Sequence, residues 1–173
     1  APLVLVAELR AGRVLVAPAR AETRGIEVLL SGGRRVPWWL GYSVSRAEDL
    51  IDGAWVPRSW DQRRALDAGL EYELGRWSLN AAASVHSGWP GTVVTVEQVG
   101  GQFVAVAGPR NALRLRSLRR LDFRVSRELA VEVGALRLFA ELTNFTNRHN
   151  PCCLSYEEVT AGGGDPTLRA EER

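Results

Sequence analysis

The chain has 173 residues, enough for one domain with a sizeable core or for a piece of something larger, and 22 basic residues nearly balance 20 acidic ones. Every basic residue is arginine, and no basic run is interleaved with stacking aromatics, which argues against a nucleic-acid groove. Nowhere does an apolar run reach the roughly 18 residues of a transmembrane helix, and the neighbours Cys152 and Cys153 are no disulfide framework. Met is absent, and Glu8 ends the apolar opening Ala1–Ala7 before it reads as a signal peptide, so the expectation is an internal segment of a longer protein.

Residues 1–20 hold two short β-prone runs, Leu3–Ala7 and Val14–Ala17, which read as a strand end and a loop. From Arg24 the pattern clears. Ile26, Val28 and Leu30 share one face, with Glu27 on the other, and Ser31-Gly32-Gly33 is a turn cluster. The next strand, Val36–Arg46, sets Trp38, Leu40, Tyr42 and Val44 against Trp39, Gly41, Ser43 and Ser45; Pro37 is tolerated at its start. A long polar connection spans Ala47–Arg63.

The best-patterned stretch follows. Leu66, Ala68, Leu70, Tyr72 and Leu74 alternate with Asp67, Gly69, Glu71 and Glu73; after Gly75-Arg76, Trp77, Leu79, Ala81, Ala83 and Val85 alternate with Ser78, Asn80, Ala82, Ser84 and His86. Period-two alternation gives each strand one apolar and one polar face. Each segment is about ten residues long, the length with which a tilted strand crosses a bilayer core. A second long connection, 87–119, contains a hairpin of Thr92–Gln98 and Gln102–Ala107 folded at Gly100-Gly101. Arg120–Ser126, a turn over Arg127–Gly134 and Ala135–Asn144 complete the pattern, with Phe139 out of place on the polar side. From Phe145 the tail reads as loop, through Gly162-Gly163-Gly164-Asp165-Pro166.

Short connections thus alternate with long ones, as in outer-membrane barrels, and Trp38, Tyr72 and Trp77 lie on apolar faces near short turns, where an interfacial aromatic girdle belongs. The reading is all-β, an antiparallel up-and-down meander forming part of a transmembrane barrel. Alternation alone also fits a soluble antiparallel barrel or sandwich that acts as a ligand-binding or interaction module, and a porin-like channel is a further alternative.

Several stretches resemble the late barrel of TonB-dependent outer-membrane receptors: Thr23-Arg24-Gly25-Ile26-Glu27, Tyr42–Asp49 followed by Val56–Arg63, Ser87-Gly88-Trp89-Pro90, Gly108-Pro109-Arg110-Asn111, Leu118–Val125, and Phe139–Arg148 with its N-x-x-N-R ending. The resemblance runs in order over residues 20–160. It implies a bacterial outer-membrane barrel of about 22 strands that imports a scarce substrate, such as an iron chelate, cobalamin or a glycan, with energy relayed by the TonB complex. It also implies that residues 1–173 are a fragment of one barrel domain. No plug domain and no TonB-contacting segment lie within it, and the final strand is missing.

No enzyme and no cofactor are expected. His86 and His149 stand far apart without metal-ligand spacing, no nucleophile elbow occurs, and His86 reads as a solvated interface histidine. Trp55, Trp60 and Trp89 sit on long connections, where they would stack on a small-molecule substrate or simply pack the loops. Arg110, Arg114 and Arg116, continued by Arg119 and Arg120, would attract an anionic substrate. The competing reading has them touch lipopolysaccharide phosphates or pair with lumen acids such as Asp67, Glu71, Glu73 and Asp122. Adjacent Cα atoms lie about 3.8 Å apart, so a bridge between Cys152 and Cys153 would be strained; such a bridge would rigidify the last external loop, and the alternative is a soft metal such as copper.

Overall fold

The computed structural model describes residues 4–5, 17–159 and 167–172, and every regular element in them is a strand. In chain order these are β1 (Val4–Leu5), β2 (Arg20–Gly32), β3 (Trp38–Ile51), β4 (Ala54–Pro57), β5 (Arg64–Leu74), β6 (Trp77–His86), β7 (Pro90–Gly91), β8 (Val94–Val99), β9 (Gln102–Ala107), β10 (Leu113–Arg114), β11 (Leu118–Val131), β12 (Gly134–Leu142), β13 (Leu154–Val159) and β14 (Thr167–Glu172). Most of Leu3–Ala7 and Val14–Ala17, and the 162–166 turn cluster, lie outside the described residues.

The main sheet runs β12-β11-β6-β5-β3-β2, with β4 folded back on β3. Every pairing in it is antiparallel and joins strands that are successive in the meander. Smaller sheets gather at the loop end: β8 and β9 form the hairpin at Gly100-Gly101, with β1 parallel to β9, while β7 pairs β10 and β13 pairs β14. Among the described residues the main sheet is open, with β2 and β12 as its edges.

Three sequence expectations need correction. The 47–63 connection is partly strand: β3 continues to Ile51 and turns at Asp52-Gly53 into β4. Both turn residues have positive φ, 49° and 80°, which is the type I′ geometry that an Asp-Gly pair favours. The Arg127–Gly134 turn shrinks to Glu132-Val133, because β11 runs to Val131 and pairs it with Gly134. The tail is no loop throughout, since β13 and β14 form a hairpin there.

The register aligns the alternating strands into two continuous faces. Leu30, Leu40, Ala68, Ala83 and Leu121 form one row across the sheet, and Trp38, Leu70, Ala81, Phe123 and Leu142 form the next. This face stays open to solvent, with Ile26 75% exposed, Leu74 59% and Leu142 54%. Each large apolar side chain kept out of water is worth about 1.5–3 kcal/mol, whereas a whole domain is stable by only about 5–15 kcal/mol. A face of this size therefore calls for an apolar covering.

The sheet is also skewed. β5 runs four residues past the Trp38↔Leu70 pair, and β11 runs four past Trp77↔Arg127, so each short turn is stepped along from the last. At the loop end the strands step back in the same sense, since β3 runs seven residues past the Val44↔Arg64 pair to Ile51, and β11 begins at Leu118, five residues before the Phe123↔Leu142 pair. Tilted strands in a barrel wall produce this outline. Trp38 and Trp77 lie at the stepped turn-side rim and Tyr72 two residues from it, with the Arg127 guanidinium 5.0 Å above the Trp77 ring.

Candidate functional site

At the loop end the connections are tied together by one buried acid. The segment before β5 folds back through a bond from the Asp61 amide to the Arg58 carbonyl at 2.9 Å, which turns the Asp61 side chain inward. Its carboxylate accepts from the Ala47 amide at 2.7 Å, Arg63 Nε at 2.7 Å and Arg114 Nη2 at 2.6 Å. Burial pushes the Asp61 pKa up, but the Arg63 contact, the Ala47 amide and Arg114 together outweigh it and hold the group below the ordinary carboxylate range. Arg114 Nη1 also donates to the carbonyls of Asp61 at 2.6 Å and Gly88 at 2.9 Å, so one guanidinium brackets both long connections.

Two further ties complete this cap. Asn111, held at φ 54°, donates through Nδ2 to the Pro57 carbonyl at 2.6 Å, and its amide donates to Thr92 Oγ1 at 3.0 Å. Tyr156 on β13 donates its hydroxyl to the Thr92 carbonyl at 2.6 Å and accepts from the Val94 amide at 3.2 Å. Burial raises its pKa, partly offset by that amide.

The loop residues singled out from the sequence divide by this geometry. Arg114 is committed to the cap, and Arg116 is exposed but paired with Glu172, Nε to Oε2 at 2.5 Å. Trp89 is half-buried, and its carbonyl accepts from the Leu115 amide. Trp60, 63% exposed, lies under the Arg58 guanidinium at 5.1 Å, and Trp55 stands on β4 beside Arg20, Arg24 and Arg46. Arg110 is exposed on the segment between β9 and β10. The cap thus leaves Trp55, Trp60 and Arg110 exposed among these six residues, with Arg116 exposed but engaged by Glu172. Cys152 and Cys153 are exposed just before β13, with their sulfurs 2.7 Å apart.

The polar face of the main sheet is a lattice of short-range pairs. Asp67 accepts from Ser84 Oγ at 2.6 Å and contacts His86 Nε2 through both oxygens at 2.9 Å, so His86 is a half-buried partner of Asp67 and not the solvated histidine expected from the sequence. Ser78 donates to Glu71 at 2.9 Å, Arg120 pairs with Asp122 at 2.7 Å, and Arg124 lies 3.7 Å from Glu141. Phe139, the outlier of the alternation, sits here under the Arg124 guanidinium at 4.1 Å.

Sequence reasoning passed over Trp39. It lies on this polar face directly over Gly69, where an added Cβ would stand 2.4 Å from its Nε1. The available signal was a glycine inside an otherwise well-formed strand, which marks a close approach. A concavity of about 660 Å³ is bordered by Trp39, Glu71, Asn80, Asp122, Arg124 and Glu141.

The class defined so far is an all-β protein built on an antiparallel sheet with one apolar and one hydrophilic face. No family model, curated protein or solved structure matches the chain.

Proposed function

We propose that the chain is a wall segment of a bacterial outer-membrane β-barrel and, following the sequence resemblance, of a TonB-dependent receptor that takes up a scarce substrate. It acts as scaffold and receptor surface, not as an enzyme. The observation that carries this reading is the exposed apolar face, continuous over six skewed strands and edged by Trp38, Tyr72 and Trp77. Lipid supplies the missing cover for such a face, and the opposite face would line an aqueous lumen. The partners on this reading are outer-membrane lipid and lipopolysaccharide outside, and a small-molecule substrate at the loop end. Contact with the TonB complex would run through the plug region of such a receptor.

The alternative, a soluble barrel or sandwich serving as a binding module, covers the same face with a second protein layer. Fluorescence separates the two. In a polypeptide that joins this chain to barrel strands closing its edges, with Cys152 and Cys153 replaced by serine, a variant keeping Trp77 as its sole tryptophan should lose emission to brominated lipid in the membrane fraction, and a cysteine at Ala82 should react with a water-soluble maleimide while one at Leu70 stays silent. Unquenched Trp77 emission, or a protein found wholly in the soluble fraction, would rule out the membrane reading.

A further inference from the structure

Past the loop-side limit of the apolar band, the same face of the same strands changes character. Ile26↔Val44 is its last apolar pair on β2 and β3; the next pairs outward on that face are Arg24↔Arg46 and Glu22↔Glu48, followed by Arg20↔Leu50. Arg64 lies opposite Val44 and Arg119 opposite Val85, so both continue this row, stepping down across the sheet with its skew. Five arginines therefore face two glutamates along one edge of the band.

Three of them build a recess. Arg20, Arg24 and Arg46, with Glu22, Glu48 and Trp55, border a hollow of about 390 Å³. Their side chains are 67%, 80% and 58% exposed, so the guanidiniums are open to a ligand. Glu22 contacts Arg20 and Arg24, and Glu48 contacts Arg46 Nε at 2.5 Å. These contacts occupy only part of each guanidinium, which carries five N–H donors in a fork that matches phosphate.

We propose that this row is a docking site for the phosphate-bearing headgroup of an anionic lipid in the loop-side leaflet. The proposal rests on the membrane-wall reading above. A lipid is favoured over a free phosphate ion because the recess abuts the apolar band: one ligand can set its phosphate among Arg20, Arg24 and Arg46 and its tails along Ile26 and Val44. The indole of Trp55 suits the boundary between the two environments.

The test is native mass spectrometry of that same edge-closed polypeptide, extracted in neutral detergent and challenged with phosphatidylglycerol and phosphatidylcholine of equal chain length. Phosphatidylglycerol should be retained about tenfold better, in line with the attraction of a few arginines for an anionic surface. R24Q/R46Q should abolish most of that preference. E22Q, which frees Arg20 and Arg24, should increase it, a direction that misfolding does not mimic. Equal retention of the two lipids, an R24Q/R46Q protein that keeps the wild-type preference, or full displacement by millimolar inorganic phosphate would overturn the site. Quenching of Trp77 by brominated lipid, read on the same samples, separates the failures. Quenching without headgroup preference defeats the lipid site alone, and absence of quenching defeats the membrane reading with it.

Discussion

Asp61 shows how one side chain organises residues that are remote in sequence. Its carboxylate is fully buried and receives three donors, two of them from arginines. A hydrogen bond to a charged group is worth about 1.5–3 kcal/mol, and Asp61→Asn removes the charge that holds Arg63 and Arg114 in place. The cap should loosen by about that amount, seen as faster proteolysis within residues 87–117 while the main sheet stays protected. The pH dependence follows from the sign of the shift. Because the folded-state pKa lies below the unfolded one, the Asp61 contribution is present at neutral pH and is lost as pH falls past the ordinary carboxylate range and through the folded value. Acid should therefore open the cap in the wild type and have less effect on Asp61→Asn, as monitored by hydrogen exchange at the Ala47 amide.

Among the elements, the β3–β5 pairing is the most sensitive to volume. Trp39 lies on Gly69 with no room for a side chain between them. Overpacking of this kind costs about 1–3 kcal/mol, so Gly69→Leu should lower the thermal midpoint and shift tryptophan emission as the Trp39 ring is displaced. Adding Trp39→Ala should restore part of the loss, because the two changes share one contact. A double variant no more stable than Gly69→Leu alone would show that the glycine serves another purpose.

For the whole molecule, the decisive fact is that the sheet is open. Among the described residues β2 and β12 each carry an unpaired edge, and in lipid a strand edge without partners costs several kcal/mol per orphaned backbone group. Residues 1–173 expressed alone should not give a heat-modifiable, detergent-resistant barrel on electrophoresis; a stable band that shifts on boiling would contradict the edge argument. Supplying further barrel strands in the same polypeptide should produce that band.

Much of this architecture is legible in the sequence, and for a local reason. Strand faces follow a period of two, so Leu66 to Leu74 and Trp77 to Val85 declare their apolar sides without reference to any other residue. The hairpins at Gly75-Arg76 and Gly100-Gly101 are likewise visible, because positive φ at these glycines is a property of the turn itself. The Asp52-Gly53 hairpin carried the same signal but lay inside a polar stretch read as connection.

What the sequence by itself determined is therefore the all-β class, the two-faced strands and their meander order, since each depends on neighbours a few residues apart. Tertiary structure alone decided the register, and with it the skew of the sheet, the descending row of Arg24, Arg46, Arg64 and Arg119, and the seat of Trp39 on Gly69. It also decided that Arg114 binds Asp61 while Arg110 stays exposed. Alternation says which face a side chain takes but nothing about what lies beside it on the next strand. That is set by which pairing buries and satisfies the most groups across the whole sheet.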